Sequence, residues 1–554
     1  MNNIEESLKK IIQTAVSKSF DIALDDNDIV VEIPRDPSFG DYSTNVAMRL
    51  TKQLRQNPRS IAEKLIEELS KDSYFENVTL AGPGFINFKL SKKNLTKVIN
   101  DVLLQKNNFG HNHTGEGTKI LVEYVSANPT GDLHLGHARG AVWGDCITRL
   151  LKASGYDVLR EFYVNDGGHQ IDMLSESLYS RYCELFGVEY PLPEDGYHAK
   201  DIIEIAEQIK EEDGDKWLHE DATKRFNIFK NKGIKFELAK IETDLKNYNC
   251  DFDSWISEKS LYDTGYVSRT IQHMKDMGLT YEEDGALWLK TTLYGDDKDR
   301  VLIKNDGSCT YFTPDIANHV YKMERGYNKL VNLWGADHHG YVARMCGALE
   351  ALGYPKGTLE VDIIQMVRLV EDGKEVKMSK RTGNAITIKE LCEDVGVDAA
   401  RYSFVSKAVD THLDFDIAVA RKKSSENPVF YAQYAHARIC SILREYPLFA
   451  PVPSYDLLTD EKETLLIKQL NEFPELVADA ALNRAPHKIC NFIQKFSQYI
   501  HSYYGSFKLK ELIADSTKKE LVNQKLCLLK ACKITLANAL DLIGITAPEV
   551  MNRE

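Results

Sequence analysis

The sequence predicts an α/β protein of several domains: a parallel-sheet domain with an insertion, a small α+β domain before it and an all-helical domain after it. Three observations predict this. A strand–loop–helix–strand order begins at residue 119 and implies a βαβ unit with parallel strands. Beyond residue 395 the β-pattern stops and helical periodicity takes over. The chain has 554 residues, several times what one hydrophobic core serves. Apolar residues at 43% and charged residues at 27% are ordinary globular composition, which excludes a disordered, fibrous or membrane-embedded chain.

Element by element, residues 4–19 carry helical periodicity and Ile29–Ile33 reads as a short strand. Residues 43–54 and 60–69 read as helices. Residues 77–90 form a strand pair that turns at Ala81-Gly-Pro-Gly84. This predicts a domain over 1–110, with the Asn-, His- and Gly-rich stretch 107–117 as linker. The parallel-sheet domain is expected over 111–395. Its strands are 119–125, 157–162 and 329–333, its helices 135–153 and 342–351, and the acidic stretch at about 175–300 is its insertion. The helical domain, 396–554, is expected to use long helices at 398–444, 463–480, 482–502 and 520–543.

The formal net charge is -14, so electrostatics alone do not suggest a nucleic-acid binder. The acidic excess sits in the middle of the chain, leaving both ends less repulsive to a polyanion. Ten cysteines without a C-x-x-C pair read as buried free thiols in a reducing cytosol. Met1–Lys10 is polar rather than an apolar signal segment. No run approaches the ~18 apolar residues of a membrane helix. A cytoplasmic protein without a membrane partner is therefore expected.

Two motifs carry chemistry. His134-Leu-Gly-His137 lies between the first strand of the parallel sheet and its helix. A helix N-terminus attracts anions through free N–H groups, and two imidazoles add donors there. Gly136 leaves room for a ligand to approach the backbone. Glu371-Asp-Gly-Lys-Glu-Val-Lys-Met-Ser-Lys-Arg-Thr-Gly-Asn384 is the second motif. Its Lys377-Met378-Ser379-Lys380 core puts ammonium groups on a Gly-flanked loop able to close over phosphates. No G-x-x-x-x-G-K-[ST] sequence exists, so the phosphates are not held by a P-loop.

This pair is similar to the signature pair of class I aminoacyl-tRNA synthetases. The stretches Val122–Gly131, Tyr163–Gln170, Tyr311-Phe-Thr-Pro-Asp315 and Val429–Ile439 resemble those of the arginyl family. Residues 1–110, with Phe39-Gly-Asp-Tyr42 and Ala81–Asn87, resemble its N-terminal additional domain, so the likeness spans essentially the whole chain. It implies a Rossmann-like catalytic domain, an N-terminal domain contacting the tRNA corner and a helical anticodon-binding domain. It implies ATP with Mg²⁺, L-arginine and tRNA(Arg) as partners. The implied reaction is formation of arginyl-adenylate with release of pyrophosphate, then transfer to the 3′-terminal adenosine.

Carried over residue by residue, His134, His137, Lys377 and Lys380 are catalytic, and Gly136, Met378 and Ser379 join them around ATP. Tyr311 and Asp315 grip the guanidinium, while Glu123 and Asn128 lie near the substrate's amino and carboxylate ends. The family's pocket has a glutamine near Asp337-His-His339 where this sequence reads His, which makes His338 the candidate for that contact. The residue types suit arginine, whose five donors and no acceptor call for carboxylates. Glu123 is the only charge in its apolar run, and buried carboxylates are rare unless paired. Tyr431, Tyr434, Arg438 and Tyr504 are the tRNA candidates, with Phe492, Phe496, Tyr499, Tyr503, Arg444, Arg484 and Lys488 as further aromatics and cations. Structural zinc is not expected, because no cysteine has zinc-type spacing. A monomer is expected, the two end domains being able to embrace tRNA unaided. The competing readings are a synthetase for another amino acid, a small-metabolite nucleotidyltransferase and a non-catalytic RNA-binding relative. The last does not require intact His134, His137 and Lys380.

Overall fold

The computed structural model describes residues 4–34, 36–371, 373–376, 386–506 and 509–551. At its centre is a five-stranded parallel sheet in the spatial order 359–364, 329–335, 119–123, 157–164, 254–257. Numbered along the chain this is order 5-4-1-2-3, or 3-2-1-4-5 from the other edge, a doubly wound sheet whose order reverses between 119–123 and 329–335. Ligands bind at such a switch, outside the carboxyl ends of the strands. Strands buried on both faces read as unbroken apolar runs, as Ile120-Leu-Val122 does.

The helix Leu135–Ala153 lies along this sheet and is buried over most of its length. Gly144 lets it do so, because a Cβ there would sit 2.3 Å from the Tyr124 ring. Arg139, wholly buried on this helix, donates to the carbonyls of Gln365, Thr411 and Ala408 at 2.9, 2.9 and 2.8 Å.

The stretch 175–300 is not one inserted body. Ser254–Ser257 is the edge strand of the same sheet, pairing with Glu161–Val164. Before it come helices Gly168–Glu184, Lys200–Asp213 and Ala222–Asn247, and after it Glu258–Asp263 and Tyr266–Asp276. A three-stranded antiparallel sheet from residues 280–303 completes the region.

The N-terminal part packs helices Ile4–Phe20 and Pro58–Leu69 on a four-stranded antiparallel sheet, through Leu8, Ile12, Val16, Ile61, Leu65 and Phe88. The expected helix over 43–54 is a strand, Tyr42–Thr44, followed by two short helices. Residues 107–117 are held down rather than loose: Asn112 and Gly115 N–H groups donate to Ala153 and Ser154 carbonyls at 2.9 and 2.8 Å.

Past residue 395 the β-pattern does not stop. Leu413–Asp416 is a strand that pairs parallel with Val367–Val370, its Leu413 and Phe415 buried. It divides the expected helix 398–444 into Val397–Val405, Ile417–Arg421 and Pro428–Glu445. The remaining long helices are Glu461–Leu482, Pro486–Ser506 and Lys519–Leu542. All ten cysteines are free and seven are buried. Among the described residues no helix is long and apolar enough to cross a membrane.

Candidate active site

His134 is the N-cap of the helix 135–153, and its side chain folds back over the turn. Its Nδ1 accepts from Gly136 N–H at 3.1 Å, while the Nδ1 of His137 accepts from His134 N–H at 3.3 Å. Both neutral rings therefore carry their hydrogen on Nε2, the nitrogen left free of the turn. Burial lowers the pKa of His134. Burial and then His134 lower that of His137, to about 4. Two neutral Nε2–H donors thus join the N–H groups at one helix start. Gly136 has a reason the sequence did not show: a Cβ there would lie 2.9 Å from His134 Cε1, so only glycine admits the folded-back ring.

Lys377, Met378, Ser379 and Lys380 lie outside the described residues. The nearest described residues on either side are tied into the fold. Lys374–Glu375 pairs with Val370–Glu371. Beyond the loop, Leu135 N–H donates to Ile386 O at 3.0 Å and Ile388 N–H to Leu133 O at 2.8 Å. The chain leaving the lysine loop is therefore stitched to the histidine turn. Thr387 also opens the helix Ile388–Val395 with a capping box: it accepts from Glu390 N–H at 3.1 Å, and Glu390 returns the bond.

The carboxylates converge from three segments. Glu123, at the end of the central strand, is buried and paired with the wholly buried Lys322, and it accepts from Ser126 Oγ at 3.2 Å. Burial alone would raise its pKa, but Lys322 and His319 bring it below the usual carboxylate range. Lys322 also lies 3.8 Å from Glu161, which Arg325 engages.

Asp315, in the first turn of helix Phe312–Glu324, accepts from Tyr341 OH at 2.6 Å. Glu258 accepts from Tyr163 OH at 3.0 Å. Among the described residues neither Asp315 nor Glu258 has a cation partner. Burial first, then Glu123 and Glu258, push Asp315 up to about 7, although Tyr341 and Lys322 pull the other way. Burial, then Asp166, likewise raises Glu258 against the lowering effect of Tyr163. Two half-buried carboxyls without a cation partner among the described residues are an arrangement able to receive a cationic ligand.

Thr313 lies near the start of the same helix. It sits one residue inside the helix and donates to Leu302 O at 2.7 Å, while Tyr311 holds the cap position and is exposed. Asn128 donates to Gln170 in the loop Ser126–Gly131. That loop opens on Val125 and Ser126 at φ 67° and 43°, left-handed values unfavourable for a β-branched residue and of the kind that gathers at functional sites. His338, exposed, ends a short turn beside Tyr341, ring centroids 6.4 Å apart, with its Nε2 3.3 Å from Asp337.

On helix Pro428–Glu445, Arg438 lies 4.9 Å over the Tyr434 ring and 4.3 Å over Tyr504. His501 joins them, 3.2 Å from Arg438 and with its ring 4.4 Å from Tyr431. The four tRNA candidates thus form one half-buried cluster. Phe492, Phe496 and Tyr503 are core instead. Arg484 pairs with Asp362 and Glu360, Lys488 with Asp479, and Arg444 donates to Glu549 O.

Family models match the chain in three blocks. The arginyl tRNA synthetase N terminal domain matches residues 6–90 and the class I (R) tRNA synthetase catalytic domain residues 98–440. The DALR anticodon binding domain matches residues 432–551. The chain belongs to the class I arginyl-tRNA synthetase family. Arginine–tRNA ligases of Bacillus velezensis and Bacillus subtilis are each 48% identical to it, over 99% of this chain and 99% of their own. The arginyl-tRNA synthetase of Thermus thermophilus shares the fold at a TM-score of 0.76, with 22% identity, over 99% of this chain and 100% of its own.

Glu258 is the site residue that sequence reasoning missed in this family member. It lay in the stretch assigned to the insertion, and only recognition of 254–257 as a sheet strand would have brought it to the carboxyl edge.

Proposed function

We propose that the cleft at the sheet's switch point activates arginine and that the helical cluster around Arg438 meets the tRNA. The chain is an ATP-dependent ligase that joins arginine to tRNA(Arg). An oxygen of the arginine carboxylate attacks the α-phosphorus of ATP. The bond to the β-phosphate breaks and pyrophosphate leaves. A hydroxyl of the tRNA's terminal ribose then attacks the adenylate carbonyl, and AMP departs.

In this reading the Nε2–H groups of His134 and His137, with the helix N-terminus, donate to phosphate oxygens as charge moves onto the leaving pyrophosphate. Lys377 and Lys380 approach the same oxygens from their loop. Mg²⁺ travels with the phosphates and is held largely by them and by water. Asp315 and Glu258 take the guanidinium, with Tyr311 over it and His338 at the rim. Glu123 keeps its own partner, Lys322, and with Asn128 shapes the end of the pocket that holds the amino acid's backbone. The monomeric state and cytoplasmic location belong to the same proposal.

One observation carries the choice of arginine: two carboxyls, Asp315 and Glu258, have tyrosine donors and, among the described residues, no cation partner. A lysine side chain is a point charge and cannot fill that fork. The test is tRNA-dependent pyrophosphate exchange across a panel of amino acids. Exchange with arginine alone is expected; equal exchange with lysine or glutamine would overturn the assignment.

A further inference from the structure

We propose that Lys240 is a positioning residue for the ATP turn: from the long helix Ala222–Asn247 it holds Asp132, and through Asp132 the Leu133–His134 approach to the two histidines. The inference rests on reading His134–His137 as the phosphate site and extends it to a residue more than a hundred positions away.

Lys240 Nζ lies 2.6 Å from Asp132 Oδ1 and 3.0 Å from Asp201 Oδ2. Asp132 stands two residues before His134. On the other side of this short segment, Leu133 O and Leu135 N–H are bonded to Ile388 and Ile386. The turn is therefore clamped twice, by the chain leaving the lysine loop and by Lys240.

The clamp has a cost built into it. One turn away on the same helix, Glu237 is wholly buried, and neither of its carboxylate oxygens has a partner among the described residues. The groups facing it are Asp201 from helix Lys200–Asp213, Asp132 from the turn, and Lys240 and Asp244 from its own helix. Lys389 and Glu393, on the helix that follows the lysine loop, act on Asp244 in turn. Burial, then Asp201, raise Glu237 to about 7 despite Lys240. Lys240 is the cation in direct contact with two of these carboxylates, Asp132 and Asp201. Without it Asp132 faces Asp201 and Glu237 uncompensated, and the approach to His134 is pushed away from the helix.

The test compares full-length wild-type protein with Lys240→Met, Lys240→Arg and Asp132→Asn, each checked by circular dichroism and thermal melting. Equilibrium binding of Mg·ATP and steady-state pyrophosphate exchange are the readouts. Lys240→Met is expected to weaken ATP by about tenfold or more while arginine KM stays within about twofold, and Lys240→Arg to recover most of the loss. The deficit should widen as pH rises above about 7, because Glu237 ionises at about 7 beside Lys240 and higher still without it. Adding Glu237→Gln should narrow it.

Unchanged ATP affinity in folded Lys240→Met, or ATP and arginine constants shifting together, would overturn the proposal. If Lys240→Met does not fold, Asp132→Asn decides it: wild-type ATP affinity there is equally fatal. A wild-type chain that binds ATP but exchanges no pyrophosphate with arginine would sink the arginine assignment and leave this inference standing. A wild-type chain that binds no ATP would sink both.

Discussion

At the scale of single residues, protonation sets what the pocket can hold. Asp315 sits at about 7 in the absence of ligand. The guanidinium is charged throughout, so the partner it needs is the ionised carboxyl. Arginine binding is therefore expected to tighten as pH climbs through about 7, with proton release on binding below it. Calorimetry in buffers of different ionisation enthalpy checks this. The sign for stability is opposite. The folded value lies above the ordinary 3.8, so the folded chain holds this proton more tightly than the unfolded one. Without arginine the group costs stability as pH rises from about 4 to about 7. Asp315→Asn should flatten both dependences and lower kcat/KM for arginine by at least about tenfold. Gly136→Ala should displace the His134 ring and slow single-turnover adenylation by about tenfold, with arginine KM little changed.

At the scale of elements, the helix 135–153 is a bracket rather than a rod on the surface. Arg139→Met would leave the carbonyls of Gln365, Ala408 and Thr411 without their donor. The expected loss of stability is about 3 kcal/mol or more, read from denaturant melts. This scale also shows what was legible in the sequence. The histidine turn was, because strand, loop and helix are local and their residues adjacent. The strand 413–416 was not. Its four residues alternate buried and polar, yet flanking helical stretches swamp so short a pattern, and only the partner strand 367–370 makes it a strand. The pairing of Glu123 with Lys322 was equally hidden. A lone carboxylate in an apolar run announces that a partner exists but not which one. Glu258 needed three segments folded together before it could be seen as belonging beside Asp315.

At the scale of the whole molecule, buried Arg401 ties three distant parts of the chain to one guanidinium. It pairs with Asp145 on the helix 135–153. It donates to the carbonyls of Tyr248 and Asn249 at 2.9 and 3.0 Å, and to that of Ile543, near the C-terminus, at 3.1 Å. Gly544 must be glycine beside it, since a Cβ would fall 2.0 Å from Arg401 Nη2. Arg401→Met is expected to destabilise the protein by about 3–5 kcal/mol, as the Asp145 charge is left buried with Arg149 alone. Thermal melting with tryptophan and helical signals recorded together checks it. The two signals should separate if the helical region loses its hold on the sheet.

The same knot orders events during synthesis. Residue 543 is translated 142 positions after Arg401, so a nascent enzyme carries Arg401 without that carbonyl until the segment around Ile543 has been made and released to fold. A chain truncated before residue 543 would then have its parallel sheet fully translated yet lack one of the acceptors that hold Arg401 in place.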